Sequence, residues 1–122
     1  TFLKKLLQDG GAERSLILPE ASENADPSWF GFLMTAKEGT DRGRLVRYIE
    51  GRGIQTRMLF AGNLIRHPCF DELRSKGEGY RIVGELTNTD RIMRDSFWVG
   101  LYPGMTEEKL SYMAEMILEG LG

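Results

Sequence analysis

One cysteine, Cys69, and one histidine, His67, are all that this chain of 122 residues has of either type. A disulfide within the chain is excluded, which suits a reducing, cytoplasmic setting. A zinc site takes about four protein ligands, or about three where it is catalytic, so Cys/His metal chemistry falls unless carboxylates complete the shell. His67 is also too little for a nucleophile triad, because no Ser or Cys has a spacing-based claim on it. No apolar run approaches the ~20 residues that cross a bilayer, so no membrane is expected as a partner. An excess of one charge is missing too: 16 Lys+Arg stand against 18 Asp+Glu, a formal charge of −2. That balance gives no general footprint for nucleic acid. Neither GxxxxGK[ST] nor GxGxxG occurs, which removes the common phosphate-cradling loops. Internal repeats and low-complexity tracts are absent as well.

What is present is ordinary folded protein, 41% hydrophobic and 28% charged, of a length that fits one domain. The chain opens in mid-pattern at Thr1 and has no signal-peptide layout. It therefore reads as a segment of a longer polypeptide. Phe2, Leu3, Leu6 and Leu7 recur at helical spacing up to Gly10-Gly11, and predict a short amphipathic helix over 1–10 whose partner surface lies elsewhere. Residues 20–27 are polar and turn-prone. Trp29 to Ala36 is a near-continuous apolar run, short enough for a strand buried on both faces.

Thr40 or Asp41 caps a predicted helix to about Glu50, with Leu45, Tyr48 and Ile49 inside, Arg42, Arg44 and Arg47 wet, and Gly51 and Gly53 as stops. Ile54 to Phe60 alternates as a strand, with Ile54, Thr56, Met58 and Phe60 on one side. Pro68 to Lys76 reads as a loop with one helical turn, and Tyr80 to Val83 as a short strand. Thr87 and Asp90 have capping-box spacing and open a helix through Met93. Phe97 to Leu101 is a further strand. In the last helix Leu110, Met113, Ala114, Ile117, Leu118 and Leu121 share one face, and Thr106 is its cap. The sum is an α/β (α+β) sandwich: a small sheet of three or four strands with helices mainly on one face.

Three stretches could carry chemistry. Five arginines between Arg42 and Arg57 could clamp a phosphate, or simply form a solvated helix face. Arg57 stands apart, because a strand aims its side chain at a fixed place. Asn63, Arg66 and His67 bring hydrogen-bonding groups into one tight loop, where sites often lie. The plainer reading is an Asn in a left-handed turn with two exposed neighbours. Trp29, Phe30 and Phe32 could stack bases, although aromatics at strand positions usually pack.

Four runs carry a family resemblance: Ser28 to Phe32 (SWFGF), Gln55 to Phe70 (QTRMLFAGNLIRHPCF), Val83 to Met93 (VGELTNTDRIM) and Phe97 to Gly104 (FWVGLYPG). Together they resemble the C-terminal part of the sugar aminotransferase/dehydratase family of vitamin-B6 enzymes, over about Phe2 to Leu121. Within it they are most similar to the CDP-4-keto-6-deoxyglucose 3-dehydratase branch of lipopolysaccharide biosynthesis.

The resemblance implies the fold of the aspartate aminotransferase class, with residues 1–122 as the small C-terminal domain that closes a pocket held mainly by a missing N-terminal large domain. It implies pyridoxamine or pyridoxal phosphate in the parent, a CDP-sugar substrate, a homodimer partner, and a separate iron–sulfur flavoprotein reductase. Some members carry their own iron–sulfur cluster; Cys69 alone could not hold one of the four-cysteine kind. In this branch a histidine of the large domain replaces the cofactor lysine as base, so His67 is not that base. No catalytic residue and no metal ligand is expected here, and the segment alone should be inert. Where related aminotransferases commonly have histidine after the tryptophan, this chain has Phe30, which implies elimination over transamination. Phe30, Arg57, Asn63 and Arg66 are the expected pocket-lining residues. The alternatives are an aminotransferase small domain, a free-standing anion-binding module, and a single-strand nucleic-acid binder using Trp29, Phe30 and Phe32.

Overall fold

Residues 2–122 are described by a computed structural model; Thr1, the first residue of the predicted opening helix, lies outside them. The sheet has four antiparallel strands: β1 (Leu16–Ile17), β2 (Gly31–Ala36), β3 (Thr56–Met58) and β4 (Ser96–Gly100), in the order β1-β2-β4-β3. Five α-helices accompany it: α1 (Phe2–Asp9), α2 (Arg42–Glu50), α3 (Asp71–Lys76), α4 (Thr87–Asp95) and α5 (Glu107–Leu121). The α/β sandwich expected from the sequence is the architecture found.

Strand alternation divides the sheet into a dry face and an open one. In β2, Phe32, Met34 and Ala36 are buried, while Gly31, Leu33 and Thr35 are half-exposed. Phe32 lies opposite Val99, and Met34 opposite Phe97. These four belong to the core, together with Leu3 and Leu7 of α1, Leu45 and Ile49 of α2, and Met113 and Ile117 of α5. The expectation that β2 is buried on both faces is thus corrected: Leu33 stays half-exposed, as does Trp98 opposite it, while Phe32 and Val99 are fully buried in the core with side chains of α1, α2 and α5.

The helix ends follow local chemistry. Asp41 caps α2 by accepting from Arg44 N–H at 2.9 Å. That bond, made to the charged carboxylate, draws the Asp41 pKa below its ordinary value. Thr106 caps α5 by accepting from Lys109 N–H at 3.3 Å.

Several expectations are corrected. Tyr80 to Val83 forms no strand: it finds no ladder partner, and all four residues are exposed. β3 is shorter than the predicted Ile54 to Phe60, because the chain turns sharply at Phe60 (φ 46°). Ile54 is buried while Phe60 is exposed, so the two do not share an environment. The capping box at Thr87 does not form, since Thr87 lies inside α4 and its N-cap is Leu86. The two-residue strand β1 was not expected. Finally, α1 does not await an absent surface. Leu3 and Leu7 are buried within this core, and α1 packs along α5. Exposed apolar side chains occur on α1, at Phe2, and at several places on the excursion between β3 and β4, namely Phe60, Leu64, Tyr80, Ile82 and Val83.

Candidate functional site

Arg57 leaves β3 on the open face of the sheet, directly across from Trp98 of β4. Among the described residues it has no hydrogen-bond or ion-pair partner, and it is exposed. The Phe30 ring meets the Trp98 ring edge-on, centroids 5.5 Å apart and planes at 79°, a favourable aromatic geometry. Phe30 stays 71% exposed. Its neighbour Phe32 is buried, with Trp29 edge-on against it. The three aromatics therefore form no common stacking platform. Gly31 makes the Trp98 position possible: a Cβ there would stand 2.6 Å from the indole ring. Phe30, Arg57, Met58, Phe60 and Trp98 line one open hollow of about 600 Å³. Phe60 and Trp98 were not singled out from the sequence. The positive φ of Phe60 can be seen only in the folded backbone, and Trp98 stood unremarked within an apolar strand.

Asn63 and Arg66 converge on a different partner. Asn63 is 3% exposed, and its φ of −93° is not left-handed; the turn residue is Gly62, at φ 61°. The Asn63 amide donates to Asp90 Oδ1 at 2.7 Å. Arg66 donates to the same carboxylate through Nη2 to Oδ2 at 2.9 Å and through Nε to Oδ1 at 3.3 Å. With Arg66 first and Asn63 second as causes, the Asp90 pKa is held below its ordinary value, and that of Arg66 is raised. Asp90 is thus the anchor of the loop rather than the end of a capping box. His67 Nε2–H donates to the Ala61 carbonyl at 2.5 Å, and Arg74 donates to the carbonyls of Ile65 and His67. The polar groups of this loop chiefly knit it to itself and to α4. Phe60 and Ala61 join this knot to the hollow along the chain.

The arginine run does not converge. Arg42 donates to the Ser96 carbonyl at 3.2 Å, so it is not the wet residue expected. Arg44 donates to the Gly120 carbonyl at 3.3 Å. Arg52 lies over the Tyr48 ring at 3.3 Å from its centroid, a cation–π contact. The Tyr48 hydroxyl donates to Glu119 at 2.8 Å, which raises the Tyr48 pKa. A larger open cleft, about 910 Å³ between the β4 exit and the start of α5, contains none of the expected residues. Among the described residues no group of three or more His, Cys, Asp or Glu could hold a metal ion, and Cys69 is exposed. Among the described residues no helix is long and apolar enough to cross a membrane.

The fold matches that of pyridoxal-phosphate enzymes of known structure. The profile of the DegT/DnrJ/EryC1/StrS aminotransferase family matches residues 1–118, and the chain belongs to that family. It is 50% identical over 124 aligned residues to the lipopolysaccharide biosynthesis protein RfbH of Salmonella typhimurium, covering 100% of this chain and 27% of that protein. It is 47% identical over 106 residues to dTDP-4-dehydro-2,6-dideoxy-D-glucose 3-dehydratase of Saccharopolyspora spinosa, covering 85% of this chain and 22% of that enzyme. The chain thus spans about a quarter of the length of these relatives. The fold is similar to that of E. coli GDP-4-keto-6-deoxy-D-mannose-3-dehydratase with bound hydrated PLP, with a TM-score of 0.73 at 22% identity over 95% of this chain and 31% of the other. The aminotransferase TlmJ of Streptoalloteichus hindustanus gives 0.70 at 14% identity, over 98% and 31%.

Proposed function

We propose that these residues are the small C-terminal domain of a nucleotide-sugar 3-dehydratase, which removes the C3 hydroxyl of CDP-4-keto-6-deoxyglucose on the way to 3,6-dideoxyhexoses of lipopolysaccharide. The observation that carries this reading is the 47% identity to a sugar 3-dehydratase over most of the chain, taken with a phenylalanine at the mouth of the hollow. Pyridoxamine phosphate, held mainly by the N-terminal large domain, supplies the electron sink for elimination. The unpartnered Arg57 beside exposed aromatic side chains fits the approach of such an anionic, flat group.

In this reading Phe30 is a wall without a proton to give or take. It excludes water and withholds the donor that amine transfer would use. Arg57 orients a phosphate. Asn63 and Arg66 act on the pocket by fixing the loop that carries Phe60. The catalytic base and the metal or cluster chemistry lie outside these residues, so the isolated chain is inert. The parent pairs as a homodimer in the cytoplasm, and an iron–sulfur flavoprotein reductase supplies electrons afterwards.

The test uses the longer polypeptide with pyridoxamine phosphate, the CDP-sugar and a reductase, with products separated by mass. A 3-deoxy sugar supports the proposal, and an amino sugar from the wild-type chain overturns it. Phe30→His should raise amino-sugar formation; an unchanged product would count against the role of Phe30.

A further inference from the structure

We propose that residues 59–95 form one flap at the rim of the hollow, hinged at Met58 and Ser96, and that Arg42 is the positioning residue that latches it to the sheet. The flap is read from the packing of this chain; its part in closing a substrate pocket rests on the proposed function.

The excursion leaves the sheet after β3 and returns at the start of β4, and Met58 lies opposite Phe97. Its two ends are therefore side by side, as a hinge requires. Of residues 59–95 only Asn63 is buried, and no apolar side chain among them is. The helices α1, α2 and α5 all place apolar side chains in the core, whereas α3 and α4 bury none. A segment with so little buried apolar surface parts from its support at low cost. It is nevertheless tied firmly to itself. Asn63 and Arg66 donate to Asp90, Arg74 donates to the carbonyls of Ile65 and His67, and Gly62 lies hard against Met93. Among the described residues, every hydrogen bond donated by a side chain of 59–95 ends within 59–95. Bonded inward and shallowly seated, the excursion swings as a body rather than melting.

One side chain crosses the boundary. Arg42 is carried by α2, which the core holds through Leu45 and Ile49. Its Nη1 donates to the Ser96 carbonyl at 3.2 Å and to the Met93 carbonyl at 3.4 Å, and meets Met58 Sδ at 2.7 Å. It thus touches the exit and the return of the excursion together, a task suited to a guanidinium with several fixed donors. The hydrogen bonds of Arg44, Arg52, Arg66, Arg74 and Arg94 do not span that boundary. The hollow straddles it: Phe30, Arg57, Met58 and Trp98 belong to the sheet and its margin, and Phe60 belongs to the flap. Moving the flap moves one wall of the hollow against the other four groups, which is how a lid admits and then encloses a ligand.

Distances between paired spin labels test this. Cys69 is the one thiol of the chain and is exposed on the excursion, so it takes the first label. Glu115→Cys, at an exposed position of α5, takes the second and reports flap against body. Arg91→Cys, at an exposed position of α4, replaces it to report distances within the flap. Arg42→Gln should shift and widen the 69–115 distribution and leave the 69–91 distribution as narrow as before. Arg42→Lys keeps a donor for both carbonyls and should restore most of the original 69–115 distribution. Arg44→Gln, whose bond to Gly120 joins only α2 and α5, should change neither. The proposal is overturned if Arg42→Gln leaves the 69–115 distribution unchanged, even with a loss of urea resistance, because Arg42 is then a structural contact alone. It is equally overturned if both distributions widen together, because the segment then unfolds instead of swinging. These distances do not depend on the reaction product. A 3-deoxy sugar from the longer polypeptide with an immobile flap would sink this inference alone, and a swinging flap with an amino-sugar product would sink the dehydratase reading alone.

Discussion

Gly62 and Gly39 both have positive φ, 61° and 85°, but only one is crowded. A Cβ on Gly62 would stand 2.5 Å from Met93 Cγ, whereas one on Gly39 meets nothing within 4 Å. Gly39→Ala should therefore cost only the backbone term, about 1–2 kcal/mol. Gly62→Ala should cost about 1–3 kcal/mol more, from overpacking against α4. Urea unfolding of the two variants checks this, and equal costs would contradict it. Asp90 makes a prediction in pH. Its pKa is lowered in the folded chain, so its contribution to stability is complete above the titration of the unfolded carboxylate and fades as pH falls through the folded value. Asp90→Asn should flatten the acid side of the stability profile. An unchanged slope there would remove the anchor role. Why Asp90 was misread is plain. Spacing sees partners a few residues away, here Thr87, while its actual partners Asn63 and Arg66 lie 27 and 24 residues upstream. Arg57 stands out in the sequence because a polar residue in an apolar strand is odd already in one dimension.

The helices were legible to the degree that their signals are local. α5 shows its face by period, and Thr106 announces its start; the structure keeps both. Thr106→Ala should cost about 1 kcal/mol, while Thr87→Ala, inside α4 and capping nothing, should cost at most a few tenths. The reverse order in thermal melts would show that the capping assignment is wrong. β1 was invisible because two residues carry no period. The apolar run Tyr80 to Val83 misled for the opposite reason: its pattern fits a strand, but a strand needs a neighbour, and this run pairs with none of the four strands. α1 was visible as a helix, but its partner was not. Leu7 is fully buried in this core, so Leu7→Ala should cost about 2–5 kcal/mol in the isolated chain. A cost near zero would restore the idea that α1 packs on a surface elsewhere.

At the scale of the molecule, three helices close one face of a four-stranded sheet and leave the other face with an unpaired arginine ringed by aromatics. The fold was readable because its core obeys two simple periods. Of the residues singled out, Phe30 and Arg57 line one hollow, while Asn63 and Arg66 bind Asp90 in the loop that follows Phe60. What joins these groups is tertiary, and it depends on a sharp turn that no residue pattern announces. The central proposal is that this domain completes a dehydrating pocket. The most direct measurement is the identity of the sugar made by the longer polypeptide with pyridoxamine phosphate, CDP-4-keto-6-deoxyglucose and a reductase. The account predicts a 3-deoxy product that shifts toward the amino sugar in Phe30→His. An amino sugar from the wild-type chain, with its C3 hydroxyl intact, would contradict it.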